Sequence, residues 1–226
     1  QQPSEPVAEI YRNQITSNAT GIIIRADGCK IEHNQVRRSS GVGIIATGED
    51  TVIHANQILD SERHAIELSS GQVFNNVVAR NDGGIVAQGA TAVAHNTFYR
   101  NEGAMLRVDD SERVSFVNNL VDHTGRLFSG GEAIERHHNV YANGACPRHE
   151  EGLRSGQLSY RDLPAGDFRP LPDSIAVDAA VPFAEIKRDA ANAGRCIGSA
   201  PDAGAFEVGP ADARAQSWWV APDGED

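Results

Sequence analysis

Three charged residues have the types and the spacing for acid–base chemistry on a sugar chain. Glu67 lies in the stretch AIEL, Arg107 lies in MLRV, and Asp109 follows two residues later. If these stretches are β-strands two positions apart in a stack, the carboxylates of Glu67 and Asp109 are about 9.6 Å apart along it. Glycosidases use pairs of carboxyl groups about 5 to 10 Å apart. The three residues are therefore a candidate catalytic set, with solvated surface charges as the alternative interpretation.

Four arginines form a second candidate site, one for binding ligand. Each follows a recurring asparagine by three or four residues, and the four are Arg37, Arg38, Arg80 and Arg100. Along one side of a stack of strands they would form a basic stripe suited to an acidic polysaccharide. The alternative is a solvated face that balances the surplus of acidic residues.

The chain has eight histidines and three cysteines, the residue types of metal and redox sites. The eight histidines include the adjacent pair His137 and His138, but a zinc site needs three or four ligands converging at about 2.0–2.3 Å. The other histidines lie in distant repeats, so we predict no metal site. Cys29 lies in a strand-like stretch and is predicted to be a buried thiol. Cys146 and Cys196 lie in loop-like sequence and are a candidate disulfide pair, which would indicate an extracytoplasmic compartment.

The elements that carry these side chains repeat along the chain. An asparagine recurs at spacings of 21, 22, 20, 20, 23 and 20 residues. The seven positions are Asn13, Asn34, Asn56, Asn76, Asn96, Asn119 and Asn139. We predict a buried ladder in which each side-chain amide bonds the backbone of a turn or the next asparagine, because an unpaired buried amide costs about 1–3 kcal/mol.

Apolar residues keep a fixed distance from each asparagine. Two residues after it stands Ile, Val, Phe or Tyr in every repeat, and three residues before it stands Ile, Val or Phe in every repeat except the last, which has Arg136. A third apolar segment, such as GIII at 21–24, precedes each asparagine from the second repeat onward. A unit this small cannot bury its own apolar face, which predicts a stacked solenoid of β-strands. The scarcity of leucine argues against leucine-rich repeats.

The third segment also predicts which side chains face outward. Alternation along a strand places one residue of each segment on the outer side. The predicted outward column is Ile23, Ile45, Glu67, Val86, Arg107 and Phe128. Because aligned apolar residues are unusual in an active cleft, we expect the apolar members to pack against a neighbouring domain, chain or loop.

Charge and hydropathy exclude two classes of partner. The 226-residue chain has a formal net charge of −11 and shows no basic cluster that would overcome repulsion by a phosphate backbone, so we predict no nucleic-acid partner. No apolar run approaches the roughly 18 residues that cross a bilayer. We therefore predict no membrane span in this sequence.

The repeat pattern carries a family resemblance. The pattern G-I-x-ϕ, a turn, ϕ-x-x-N-x-ϕ, and then N or S recurs over positions 8–144. It resembles the right-handed parallel β-helix of the pectate-lyase-like superfamily, in its secreted bacterial form. The resemblance implies an all-β fold, a right-handed parallel β-helix of about seven coils of 20–23 residues with a C-terminal capping segment. The same scaffold hosts lyases, hydrolases, epimerases, adhesins and phage tail proteins, so it does not specify a function.

Four regions are expected along the chain. Residues 1–144 form the coils, and 145–166 form a polar excursion. Residues 167–209 resemble the closing segments of secreted bacterial β-helix proteins, which cover the C-terminal end of the solenoid. Residues 210–226 form a linker and the stretch SWWVAPDGED, which resembles the entry strand of such domains. Either the chain is a fragment of a tandem β-helix protein, or this tail packs back as a cap.

The resemblance supports two main functional hypotheses. The first is a non-catalytic extracellular or cell-surface module that binds polysaccharide or joins a surface assembly with a neighbouring β-helix domain. The alternative is a polysaccharide lyase or glycoside hydrolase acting on acidic glycans, with its site at Glu67, Arg107 and Asp109. In lyases of this superfamily an Arg or Lys base acts with Ca²⁺ held by carboxylates, which makes Arg107 the candidate base; otherwise we predict no cofactor. A trimeric spike of the phage type is a third hypothesis.

Overall fold

The computed structural model describes residues 8–108, 113–130, 134–143 and 146–209. Within these ranges the chain forms 23 short strands, numbered β1–β23 in chain order, and no helix. Most strands are three to five residues long and contain Ile, Val or another good strand former. Parallel pairing of each strand with its equivalent in the next repeat builds a solenoid, which confirms the predicted fold.

Three parallel sheets form the faces of the solenoid. Sheet A consists of β1 (Glu9–Tyr11), β4 (Lys30–Glu32), β7 (Thr51–His54), β10 (Gly71–Phe74), β13 (Thr91–Ala94), β16 (Val114–Val117) and β19 (Ile134–His137). Sheet B consists of β2 (Gln14–Thr16), β5 (Gln35–Arg37), β8 (Gln57–Leu59), β11 (Val77–Ala79), β14 (Thr97–Tyr99), β17 (Leu120–Asp122), β20 (Val140–Ala142) and β21 (Arg154–Gly156). Sheet C consists of β3 (Ile22–Ile24), β6 (Ile44–Ala46), β9 (His64–Leu68), β12 (Gly83–Ala87), β15 (Leu106–Val108) and β18 (Phe128–Ser129). Within the described ranges, six complete three-strand coils follow the partial coil β1–β2.

The core runs along the axis between the three sheets. Inward residues of neighbouring coils are in register, as Ile31 is with Ile53 in sheet A and Val36 with Ile58 in sheet B. All four side chains are fully buried. The exception in the repeat pattern, Arg136, is in register with the inward Phe116 of the preceding coil. It lies in the last complete coil, where its guanidinium packs 4.8 Å from the ring centroid of Phe128.

The asparagine ladder is present, as predicted. The Nδ2 atom of each of the first six ladder asparagines lies 3.0–3.1 Å from the Oδ1 of the next one. That Oδ1 also accepts the preceding asparagine's backbone N–H at 2.8–2.9 Å. Asn76, for example, also donates from Nδ2 to the carbonyls of Ile53 and Phe74. The buried amides are thus satisfied by their turns and by each other.

A residue with a left-handed backbone precedes every ladder asparagine and makes the turn from sheet A to sheet B. These residues have φ of 52–58° and are Arg12, His33, Ala55, Asn75, His95, Asn118 and His138. A second, shorter ladder lies at the turn that leaves sheet B. There Asn81 donates from Nδ2 to Oδ1 of Asn101 at 3.0 Å, and Ser61 donates its backbone N–H to Oδ1 of Asn81. These positions hold the N or S that ends each unit of the repeat pattern.

A carboxylate closes the C-terminal end of the main ladder. Oε1 of Glu150 accepts both the backbone N–H and the Nδ2 group of Asn139, at 3.1 and 2.7 Å, in place of a further asparagine. Oε2 of Glu150 accepts the Tyr141 hydroxyl at 2.8 Å. Strand β21 then pairs with the edge of β20. Residues 150–156, which fall inside the expected polar excursion, therefore continue the solenoid by part of a coil.

The remaining described residues, 157–209, form a cover segment on the outer face of sheet B. Phe168 and Phe206 pack there with Leu59, Val77 and Tyr99. The segment includes an antiparallel hairpin of β22 (Tyr160–Asp162) and β23 (Asp167–Pro170). The expectation that 167–209 would cover the end of the solenoid is therefore wrong. The segment covers a side face, because sheet B presents an apolar outer surface there and the end is closed by residues 150–156.

A buried charge cluster anchors the cover segment to the turn between sheets A and B. The Arg195 guanidinium donates to Oε2 of Glu207 at 3.3 Å and to Oδ1 of Asn75. Asp189, Asp202 and Glu207 are only 5%, 2% and 7% exposed. Burial raises the pKa of Asp202 to about 6 and also raises the pKa of Asp189. The cluster holds ionisable groups at an interface where few water molecules can solvate them.

Two further predictions about side chains are corrected. Cys146 and Cys196 are free, exposed thiols rather than a disulfide. Cys146 follows the last coil, whereas Cys196 adjoins the Arg195 contact with Asn75, about three coil rises or 14 Å away along the axis, farther than a disulfide reaches. Cys29 is fully buried, as predicted.

The second correction concerns the last outward position of sheet C. Phe128 pairs with the inward Leu106 and packs against the core. Ser129 instead occupies the outward position in register with Arg107. The connection before β18 shifts the register by one residue, which exchanges inward and outward faces.

Candidate functional site on sheet A

The outward column of sheet C brings two of the three candidate catalytic residues onto one face. The register runs from Glu67 through Val86 to Arg107. Two strand spacings, about 9.6 Å, therefore separate the backbones of Glu67 and Arg107. Val86 lies between them and is only 4% exposed. Asp109, the proposed acid partner, lies outside the described residues. The described column thus contains one carboxylate, one guanidinium and a valine between them.

The candidate arginine stripe lies at sheet B and its outgoing turns, where the cover segment occupies much of the surface. Arg80 donates to both carboxylate oxygens of Asp60, and its guanidinium lies 5.8 Å from the ring centroid of Phe168. Arg100 packs 5.1 Å from the centroid of Tyr99. Burial lowers the pKa of the half-buried Arg37, whereas Arg38 is exposed. At least two of the four arginines already contact neighbouring side chains.

Sheet A carries a groove that sequence reasoning missed. It has a volume of about 680 Å³ and crosses five strands, from β7 to β19. Its floor follows the outward column of sheet A, in register from strand to strand. The column residues are Val52, Gln72, Ala92, Ser115 and Glu135. The groove is the size of ordinary ligand sites, which are about 300–1,000 Å³.

Side-chain length explains why a depression forms there. Ala92 and Ser115 are short and lie between the longer Gln72 and Glu135. All four point away from the core, because the residues after them in their strands point inward to it. Over five strands the column extends about 19 Å along the axis. The groove is therefore elongated and deepest in the middle, with Val52 at one end of its floor and Glu135 at the other.

The wall of the groove comes from the turns that enter sheet A. Asp50, Ser70, Ala90 and Arg113 lie there, each directly before a strand of the sheet. The backbone N–H of Asp50 donates to the Ser70 hydroxyl at 3.3 Å. This wall combines an acid, a hydroxyl, a methyl group and a guanidinium, a mixture that can contact both the polar and the apolar parts of a ligand.

An aromatic and histidine patch lies at the other edge of sheet A, near the N-terminal coils. The His54 ring stacks on Phe74 with centroids 4.8 Å apart, and His33 packs edge-on against both His54 and Tyr11. His54 also contacts the Glu32 carboxylate. Burial lowers the pKa of both histidines. Because the rings pack against one another, we interpret the patch as stabilising the turn.

The adjacent histidines of the last complete coil lack the further ligands of a metal site among the described residues. His137 and His138 place their Nδ1 atoms 3.2 Å apart. Across the described ranges, no group of three or more His, Cys, Asp or Glu side chains converges as a metal site.

The groove residues had a readable signal in the sequence. Each floor residue stands four positions before a ladder asparagine, as Gln72 does before Asn76. The outward column predicted from the sequence lies on sheet C alone, whereas on sheet A the repeat pattern predicts only the inward residue of each strand. The outward residues of sheet A differ from repeat to repeat. Such differences give a solenoid a specific surface.

Comparison with known proteins supports the fold. A family model described as a right-handed β-helix region matches residues 4–141, more than half of the 226-residue chain and all seven ladder asparagines. No curated protein matches the sequence. In the part of the chain that the structure describes, no helix has the length and apolar character to cross a membrane. The chain belongs to the right-handed β-helix family.

Proposed function

We propose that this β-helix is a non-catalytic module that binds a polysaccharide outside the cell, in the groove of sheet A. The observation that carries the proposal is the groove itself, about 680 Å³ in volume and extended over five strands. From one end to the other, its floor carries a valine, an amide, a methyl group, a hydroxyl and a carboxylate. Sugar chains present hydroxyl groups that both donate and accept, together with apolar C–H faces, and such a lining complements both.

Electrostatics favours binding over catalysis. Proton transfer to or from a sugar needs groups whose pKa values are tuned for that task, usually by burial beside a like or opposite charge. Within the described residues, burial raises the pKa of Asp122, Asp189 and Asp202, and all three lie on sheet B or under the cover segment, away from the groove of sheet A. The exposed groove has the character of a binding surface.

A polysaccharide lyase or hydrolase is the second candidate function. Its specific support is that Glu67 and Arg107 share one outward column of sheet C. In that mechanism Arg107 would act as the base and Glu67 as a carboxylate near the same sugar, with Ca²⁺ as the added charge that a lyase uses.

One experiment separates the two functions. The protein is incubated with soluble neutral and acidic polysaccharides, with and without Ca²⁺, while binding is followed by calorimetry and cleavage by ultraviolet absorbance and reducing ends. We expect saturable binding without chain cleavage. Cleavage that disappears in Arg107→Ala would contradict the non-catalytic proposal, and the exposed Arg38→Ala is the matched control for loss of an arginine.

A further inference from the structure

The charges of the groove are distributed unevenly along its length. Asp50 lies on the wall near β7, and Glu135 lies on the floor at β19. Arg113 is the one cation among the described residues that line it. Between these ends, Ser70, Gln72, Ala92 and Ser115 contribute no charge. The lining therefore carries two carboxylates against one guanidinium.

We propose that the groove takes an uncharged polysaccharide strand lying along the solenoid axis. This inference rests on the proposed binding function and adds to it the class of glycan and its direction. The direction follows from the floor, whose five residues repeat at one strand spacing, about 4.8 Å, and form a single line parallel to the axis. A chain lying across the strands would meet the floor at only one or two of these positions.

The class of glycan follows from the charges. An acidic glycan carries anions at regular intervals, so a strand spanning the groove would bring some of them beside Asp50 and Glu135. Arg113 can neutralise one such anion. The net charge of −11 adds a repulsive field for any polyanion. An uncharged chain avoids both the repulsion by these carboxylates and the repulsion by the net charge.

Hydrogen bonding and shape suit a neutral chain. Sugar hydroxyls can donate to the carboxylates of Asp50 and Glu135 and accept from Arg113, while Gln72 and Ser115 can do either. At Ala92 the short side chain lets a sugar ring approach the sheet closely, and its methyl group offers an apolar contact for the C–H face of the ring. Each charged residue thus gains a partner without a second charge on the ligand.

The test compares the two glycan classes at low ionic strength, where charge effects are largest. Calorimetric titrations use galactomannan and hydroxyethylcellulose as neutral probes, and polygalacturonate and alginate as acidic probes. We expect the neutral probes to bind at least about tenfold more tightly, a difference of about 1.4 kcal/mol. The double variant Asp50→Asn, Glu135→Gln should raise the ratio of acidic to neutral affinity. Glu62→Gln, at an exposed acid away from the groove, is the matched control and should leave that ratio unchanged.

The outcomes distinguish this inference from the proposed function. If the acidic probes bind as tightly as the neutral ones or more tightly, the inference is overturned while polysaccharide binding stands. If the double variant leaves the ratio unchanged, the assignment of charge selectivity to the groove is also wrong. If neither class binds, the proposed function fails and the inference fails with it.

Discussion

At the scale of single residues, the protein shows how a buried polar side chain can stabilise a repeat. A buried amide is costly only if its donors and acceptors lack partners. In the ladder, Asn76 accepts from Asn56 and donates to Asn96. It also donates to the Phe74 carbonyl of its own turn and to the Ile53 carbonyl of the preceding coil. The next repeat offers the same arrangement, so the pattern continues until Glu150 ends it. The recurring asparagine that first suggests a site is therefore structural.

Replacing Asn76 with leucine tests the ladder. The variant leaves the Asn56 N–H groups and the Ile53 carbonyl without their partner, so we expect the free energy of unfolding to fall by at least about 2 kcal/mol. Chemical denaturation measures it. Gln88→Leu, which replaces an exposed side-chain amide with leucine, is the control and should change stability by less than about 0.5 kcal/mol. Wild-type stability in Asn76→Leu would refute the ladder.

Asp202 makes the folding stability of the protein depend on pH, in the direction set by its raised pKa. Its pKa is about 6 in the folded protein against the ordinary 3.8, because burial disfavours the carboxylate. The ionised form therefore opposes folding above pH 6, and this penalty disappears as pH falls through 6 toward 3.8. Asp202→Asn removes this ionisation and its cost to stability. We measure the free energy of unfolding of the variant minus that of wild type. We expect this difference to be about 2 kcal/mol higher at pH 7.5 than at pH 4.5.

His95 also makes the stability of the protein depend on pH. The pKa of buried His95 lies well below its ordinary value, so its contribution to stability has the opposite sign and is lost as pH falls below 6.5. His95 is present in both proteins and cancels in the difference between them. Parallel stability curves for wild type and Asp202→Asn across this pH range would show that Asp202 does not titrate as described.

At the scale of elements, turns and the cover segment decide what the strands can present. The left-handed residue before each ladder asparagine turns the chain sharply from sheet A to sheet B. Three of these residues, Asn75, His95 and Asn118, also hydrogen-bond the cover segment. The cover closes the apolar face of sheet B and leaves sheet A accessible. One set of turn residues thus shapes the coils and positions the segment that covers them.

Gly204 is a position where the backbone of the cover segment lies close against sheet B. It has φ of 94°, and a Cβ added there would lie 2.8 Å from Leu120 Cβ and from Thr97 Oγ1. Gly204→Ala should therefore destabilise the cover by about 1–3 kcal/mol. Limited proteolysis and thermal unfolding measure the effect. Gly194→Ala is the matched control, because its Cβ would meet no atom within 4 Å; equal behaviour of the two variants would argue against close packing at Gly204.

At the scale of the whole molecule, the repeating part of the structure was predictable and the unique part was not. The ladder asparagines and their apolar neighbours predict three sheets because each repeat provides the same evidence again. The position of residues 157–209 on sheet B depends on contacts such as Phe168 with Leu59, which occur once. The register shift at Phe128 likewise depends on a single connection. The groove was predictable in part. Alternation along the strands predicts which residues of sheet A face outward, but the depth of the groove depends on the short side chains of Ala92 and Ser115.

The central claim is that the groove of sheet A binds a polysaccharide, and Ala92→Phe tests it most directly. The new ring would fill the middle of the groove while pointing away from the core. Calorimetric titration with galactomannan is run on wild type, on Ala92→Phe and on Gln88→Phe, an exposed position in the same coil near sheet C. The account predicts saturable binding to wild type and Gln88→Phe, and a loss of at least about tenfold, or 1.4 kcal/mol, in Ala92→Phe. Undiminished binding in a folded Ala92→Phe protein would contradict it.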